Sequence, residues 1–307
     1  MRRVQEAARF LIIFTLLPTS VYGQSFRGTI LGTVRDASGA VLPGVSVTVT
    51  NAGTNIGRTA VTNETGNYVM SELTIGTYTV SGELPGFKQS LVSGLELNVD
   101  QRLRADLTLQ IGELSDKVEV TAAAALVASD SATVGTVIEN RKVVELPLNK
   151  RDFLQLALLV PGAVPAFAGS NLTGQGGAIS VNGMRETSNN ILLDGVENKD
   201  LAINQITINP SVDSLAEMKV QSSTYSAEYG RQAGAQINMT TKSGTNEFHG
   251  TVYEFFRNGH MDARNFFDNP TQPQPQFKRN VYGVSIGGPI AHDKTCLLYT
   301  SPSPRDS

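Results

Sequence analysis

The chain has 307 residues, room for two domains of ordinary size that each bury a core. A net charge of −3 gives no nucleic-acid footprint. One cysteine, Cys296, excludes an internal disulfide framework and any Cys-based zinc site, and three dispersed histidines, His249, His260 and His292, lack ligand spacing, so no metal or other cofactor is expected.

In chain order, Arg2, Arg3 and Arg9 precede the apolar run 10–17, which gives way to Pro18 and the small-residue end Val21-Tyr22-Gly23. This is the layout of a secretory signal peptide over residues 1–23, with cleavage before Gln24. The run is shorter than the roughly 20 residues that span a bilayer. No later segment is long and apolar enough for a membrane helix, so any membrane role must use strands.

Residues 27–111 are short β-prone runs, 29–34, 45–50, 77–80 and 103–109, broken by turn compositions at Asp36-Ala37-Ser38-Gly39, Asn63-Glu64-Thr65-Gly66 and Pro85-Gly86. The alternation Val45-Ser46-Val47-Thr48-Val49 argues a small all-β sandwich that folds alone. The wording "GTVRDASGAVLPGVSVTVTN" followed by "TNETGNYVMSELTIGTYTVSGELPGFK" resembles the carboxypeptidase regulatory-like domain, which implies a non-catalytic, transthyretin-like sandwich.

Residues 112–133 read as a linker with one extended element at 118–121. Next, "LPLNKRDFLQLALLVPG" gives one short helix over 153–160, with Asn149 as a cap, Pro161-Gly162 as a stop and a buried Leu face. The Gly-rich loop 174–177 lacks the Lys-Ser/Thr or following helix of a phosphate cradle.

The stretch "NGMRETSNNILLDGVENKD", residues 182–200, places Asp194, Glu197 and Asp200 close together in sequence, as the start of a catalytic or metal site would. No second titratable group converges at a convincing spacing. Asp194-Gly195 is better read as the turn ending a strand over 190–193, paired with 179–182. "GVSIG" matches the G-x-S-x-G elbow of α/β-hydrolases around Ser285. Yet Tyr282, Val284 and Ile286 alternate with Gly283, Ser285 and Gly287, and Gly288-Pro289 opens no helix. Ser285 is expected to face the lumen of a strand structure. No enzyme is predicted.

"ISVNGMRETSNNILLDGVEN" and "SLAEMKVQSSTYSAEYGRQAGAQINMTTKSGTNEFHGTVYEFFRN" resemble the plug domain and first barrel strand of TonB-dependent outer-membrane receptors, while "DARNFFDN" and "VYGVSIGGPI" are similar to the Oar-like branch. The resemblance implies a mainly β chain: a transthyretin-like β-sandwich, an α+β plug domain over 134–245, and the first strands of an incomplete outer-membrane β-barrel with a surface loop over 246–290. A barrel needs at least about 8 strands, so a fragment is expected. Residues 296–307, "CLLYTSPSPRDS", have no evident strand pattern and resemble a foreign, disordered tail.

Implied too are import of an unknown extracellular ligand, energised by an inner-membrane complex, residence in outer-membrane lipid with the sandwich periplasmic, and a TonB-type periplasmic energy-coupling partner. The runner-up is a surface adhesion or structural protein without transport. Asp116, Lys117, Val118, Glu119, Val120, Thr121 and Ala122 resemble the TonB box that binds this partner. On pattern alone the same run could be the last sandwich strand or a plain linker.

Overall fold

The computed structural model describes residues 28–112, 117–121, 134–146, 148, 152–166, 179–200, 206–225, 229–230, 232–261, 263–264, 269, 271–273 and 277–306. The signal-peptide segment 1–23, Asp116, Ala122, the expected cap Asn149 and the Gly-rich loop 174–177 lie outside the described residues.

The first unit is β throughout. Its strands are β1 (Gly28–Asp36), β2 (Ser46–Asn51), β3 (Gly57–Val61), β4 (Asn67–Leu73), β5 (Gly76–Glu83), β6 (Gln89–Leu97), β7 (Arg102–Arg104), β8 (Leu107–Leu109) and β9 (Lys117–Thr121). One sheet runs β4-β1-β7, with β8 also on β1; the other runs β3-β2-β5-β6-β9. Ile30, Val34, Tyr68 and Met70 of the first meet Val47, Val49, Val80 and Leu95 of the second in one apolar core, as a sandwich requires. The turns form where Asx residues predict them. Asp36 Oδ1 accepts from the amides of Ser38 (2.8 Å) and Ala40 (2.9 Å), and Asn63 Oδ1 from those of Thr65 (3.1 Å) and Asn67 (2.9 Å). The sequence reading missed β3, β4 and β6, and the single run expected over 103–109 is two strands interrupted at Ala105-Asp106.

The second unit is a five-stranded sheet with short helices on one face. It contains β10 (Val134–Glu139), α1 (Asn140–Glu145), α2 (Leu154–Ala157), β11 (Ala163–Pro165), β12 (Ile179–Val181), β13 (Asn190–Leu193), β14 (Val196–Glu197), β15 (Leu215–Ser223) and β16 (Gln236–Thr241). The order is β10-β15-β16-β13-β14, while β11 and β12 pair separately. Two expectations are corrected here. The helix over 153–160 shortens to four residues, although Phe153, Leu154, Leu156, Ala157 and Val160 are all buried; and 179–182 pairs with β11, not with β13, which lies parallel to β16.

The third unit is a meander of β17 (His249–Asn258), β18 (Lys278–Ala291) and β19 (Thr295–Asp306). The expectation that residues 296–307 lack strand character is corrected, because 295–306 pairs antiparallel with β18. The run Cys296 to Thr300 is β-prone. Pro302 and Pro304 share one parity, so both missing amide hydrogens fall on one side of the strand, which an edge position tolerates. Across the meander one face is apolar and exposed: Val252 (83% exposed) pairs Val284, and Ile286 (56%) pairs Tyr299. No helix among the described residues is long and apolar enough to cross a membrane.

Candidate functional site

Strand β15 has two buried faces. Met218 and Val220 enter the apolar core beneath the helices, while Glu217, Lys219 and Gln221, at the alternate positions, point the other way and are equally buried. Charged side chains are rarely buried unless paired. Here the 98–101 turn of the sandwich covers them. Glu217 Oε1 accepts from the Val99 amide; Lys219 Nζ donates to Asp100 O (2.7 Å) and to its Oδ2 (3.0 Å); and Gln221 Nε2 donates to the same Oδ2 (2.6 Å). The polar face continues across the sheet. Asn190 Nδ2 donates to Gln236 Oε1 (3.1 Å), Gln236 Nε2 to Asn238 Oδ1 (2.9 Å) and Asn238 Nδ2 to Tyr229 Oη (2.9 Å).

A second junction joins the sandwich to the meander. The short connection between β18 and β19 carries Asp293, whose Oδ1 accepts from Asn55 Nδ2 (3.0 Å) and Asn246 Nδ2 (2.8 Å). The Asn246 amide in turn donates to Gly53 O (2.9 Å). Asn55 foremost, then the adjacent His292, with Asn246 adding least, hold the Asp293 carboxyl below the ordinary carboxylate range.

Between the junctions lies a cavity of about 480 Å³, lined among others by Glu139, Glu217, Lys242, His249, Thr251 and Ser285. Burial, the largest influence, pushes the Glu217 carboxyl up to about 7; the Val99 amide and Lys219 pull it down, and Glu139 adds to the rise. Burial also lowers the Lys242 ammonium, against the attraction of Asp213.

The sign of the pH effect follows. A carboxyl raised on folding binds its proton more tightly in the folded state, so this contribution is full below the ordinary value of 4.5 and is lost as pH rises to about 7. The melting temperature of the whole chain should therefore fall between those pH values and flatten above, with a ceiling of about 3 kcal/mol. Lys219, Asp100, Glu96, Glu139, Lys242 and His249 also face this region, so Glu217→Gln serves as the control. Calorimetry that finds the same slope in Glu217→Gln would assign it to another group.

The residues singled out from the sequence behave differently. Asp194 sits at φ +48° with Gly195 at φ +83°, a turn both residue types accept, and its carboxylate binds the Thr241 amide and Oγ1 (both 2.8 Å). It locks the end of β13 to β16. Among the described residues no group of three His, Cys, Asp or Glu side chains is placed to hold a metal ion. Ser285 shares the cavity with His249, but His249 Nε2 lies 2.9 Å from Thr245 Oγ1, and no described hydrogen bond joins it to Ser285. Ser285 is mid-strand, paired with Thr251 on one side and Thr300 on the other, where no nucleophile elbow can form. Lys117 to Thr121 form β9, parallel to residues 89–93 of β6 at the edge of the sandwich. Asp100, Glu217, Lys219 and Gln221 were not singled out. Their only signal was the polar alternation Glu217-x-Lys219-x-Gln221, which reads equally well as a solvated strand face.

Residues 29–110 match the carboxypeptidase regulatory-like domain family, and residues 240–298 match an outer membrane beta barrel domain family. Over 308 aligned residues the chain is 30% identical to the TonB-dependent transporter Oar of Myxococcus xanthus, covering 95% of this chain and 28% of that protein. The resemblance carried by the sequence motifs is thereby shown. The chain spans a little over a quarter of that relative's length. Among solved structures it is similar to the siderophore receptor PirA of Acinetobacter baumannii (22% identity, TM-score 0.41, covering 56% of this chain and 24% of that one). It is also similar to PirA of Pseudomonas aeruginosa (17% identity, TM-score 0.41, covering 56% and 27%).

Proposed function

We propose that this chain supplies the periplasmic sandwich, the plug and the opening barrel strands of an outer-membrane receptor that imports an extracellular ligand with energy delivered by a TonB-type periplasmic protein. Residues 134–245 are the plug in this reading, and the meander begins the barrel wall. The observation that carries it is polarity along the barrel strands. The β17–β18 connection is long, from 259 to 277, whereas the β18–β19 connection spans only 292–294, and outer-membrane barrels have long extracellular loops and short periplasmic turns. Asn55 of the sandwich is bonded to Asp293 of the short turn, which supports a periplasmic sandwich in this reading. The exposed apolar face of the meander suits lipid, and the other face, holding Ser285 and Thr251, lines the cavity.

Asp116 to Ala122 are the partner-binding segment in this proposal. An energy-coupling protein can add a strand to the open edge of β9, where main-chain hydrogen bonds give affinity and alternate side chains set register. Val118→Pro removes a backbone donor there and disturbs pairing. Val118 is outside the buried sandwich core, so that core should persist. Calorimetry against the periplasmic domain of a TonB-type protein should show binding by the wild-type chain and at least a tenfold loss in Val118→Pro, with the sandwich melt unchanged. Undiminished binding by Val118→Pro would refute the segment, and no binding by the wild type would favour the adhesion reading.

A further inference from the structure

We propose that the 98–101 turn is a clasp by which the sandwich docks reversibly, as a folded unit, on the polar face of the middle sheet. Two observations converge on this. The sandwich core and the middle-sheet core are separate clusters that share no residue, so each unit keeps its apolar contacts when the other departs. What joins them at β15 is polar: Glu217, Lys219 and Gln221 grip the backbone of Val99 and the backbone and carboxylate of Asp100. On release these groups exchange protein partners for water, whereas an apolar seam would resist opening in proportion to its area. Polar interfaces between domains are of the kind that open and close.

Position gives the clasp a consequence. β15 lies between β10 and β16, so a closed clasp fixes an interior strand of the middle sheet to the sandwich. β6 ends at Leu97, immediately before the turn, and β9 is its hydrogen-bonded neighbour. A pull on β9 would therefore reach the clasp through one strand. That last link rests on the partner reading of Asp116 to Ala122, which the calorimetry tests separately; reversible docking does not depend on it.

Amide hydrogen exchange on the whole chain tests the docking. Asp100 has φ +51°, so Asp100→Gly removes its carboxylate without straining the turn. Lys219→Met cuts the same contact from β15, and Glu217→Gln keeps an acceptor for the Val99 amide. The Val99 amide should exchange at least tenfold faster in Asp100→Gly and Lys219→Met and near the wild-type rate in Glu217→Gln, while the amides of Val47, Val49 and Val80 stay as protected as before. An unchanged Val99 rate in both disrupting variants would overturn the clasp. Equal acceleration at Val47, Val49 and Val80 would overturn the docking of a separate folded unit, since turn and sandwich core would then open together.

Discussion

Replacing Gly32 by valine is expected to abolish the cooperative melt of the sandwich. Gly32 lies in β1 at the point where its neighbour changes from β7 to β8. The connecting Ala105 carbonyl turns inward there, accepting from Tyr68 Oη at 2.5 Å, while the Ala105 amide donates to Leu31 O at 2.8 Å. A Cβ at position 32 would lie 2.0 Å from Ala105 O and 2.9 Å from the Tyr68 ring. Backbone cannot yield as a side-chain tip can, so β1 must part from the 104–106 crossing and strand the buried Tyr68 hydroxyl. Overpacking alone costs about 1–3 kcal/mol, and an unsatisfied buried polar group about as much again. Together these rival the whole stability of a domain this size, roughly 5–10 kcal/mol. A circular-dichroism melt of residues 27–111 decides it: a cooperative transition within a few degrees of wild type in Gly32→Val would show that the crossing adapts.

Phe153→Ala is expected to be the most damaging single truncation in the middle unit. Phe153 is fully buried, in the core that holds Ile138, Leu156, Leu215, Met218 and Ile237. Helix α2 has only four residues, far short of the length at which a helix holds itself, so its packing supplies its stability. Loss of the ring removes both the apolar burial and the anchor of α2, for about 3–5 kcal/mol. In amide exchange on the whole chain, Met218, Val220 and Ile237 should lose protection while the sandwich amides keep theirs. Unaltered protection at Met218 and Ile237 would mean that the core refills around the gap.

Local pattern was enough for much of this molecule. Val45 to Val49 alternate with period two, and that period forces one face inward whatever the rest of the chain does. Asp36 and Asn63 close their own turns through side-chain bonds that span four residues or fewer, so their signal is contained in the local sequence. Tyr282, Val284 and Ile286 likewise display the apolar face of β18, and their alternation argues against a serine elbow at Ser285.

Other features rested on partners far along the chain. Glu217, Lys219 and Gln221 look like a wetted strand edge, and only the arrival of Val99 and Asp100, more than a hundred residues earlier in sequence, buries them. Residues 296–307 show no evident strand pattern in sequence, yet β18 offers residues 296–306 an edge, and main-chain pairing asks little of side-chain alternation. Lys117 to Thr121 were ambiguous because an edge strand and a partner-binding segment share one composition; placement beside β6 makes them a strand here and leaves the outer edge open. Local propensity acts over a few residues and is legible in sequence. Burial of polar groups and the choice of strand neighbours depend on which distant segments meet, and this the tertiary structure alone decided.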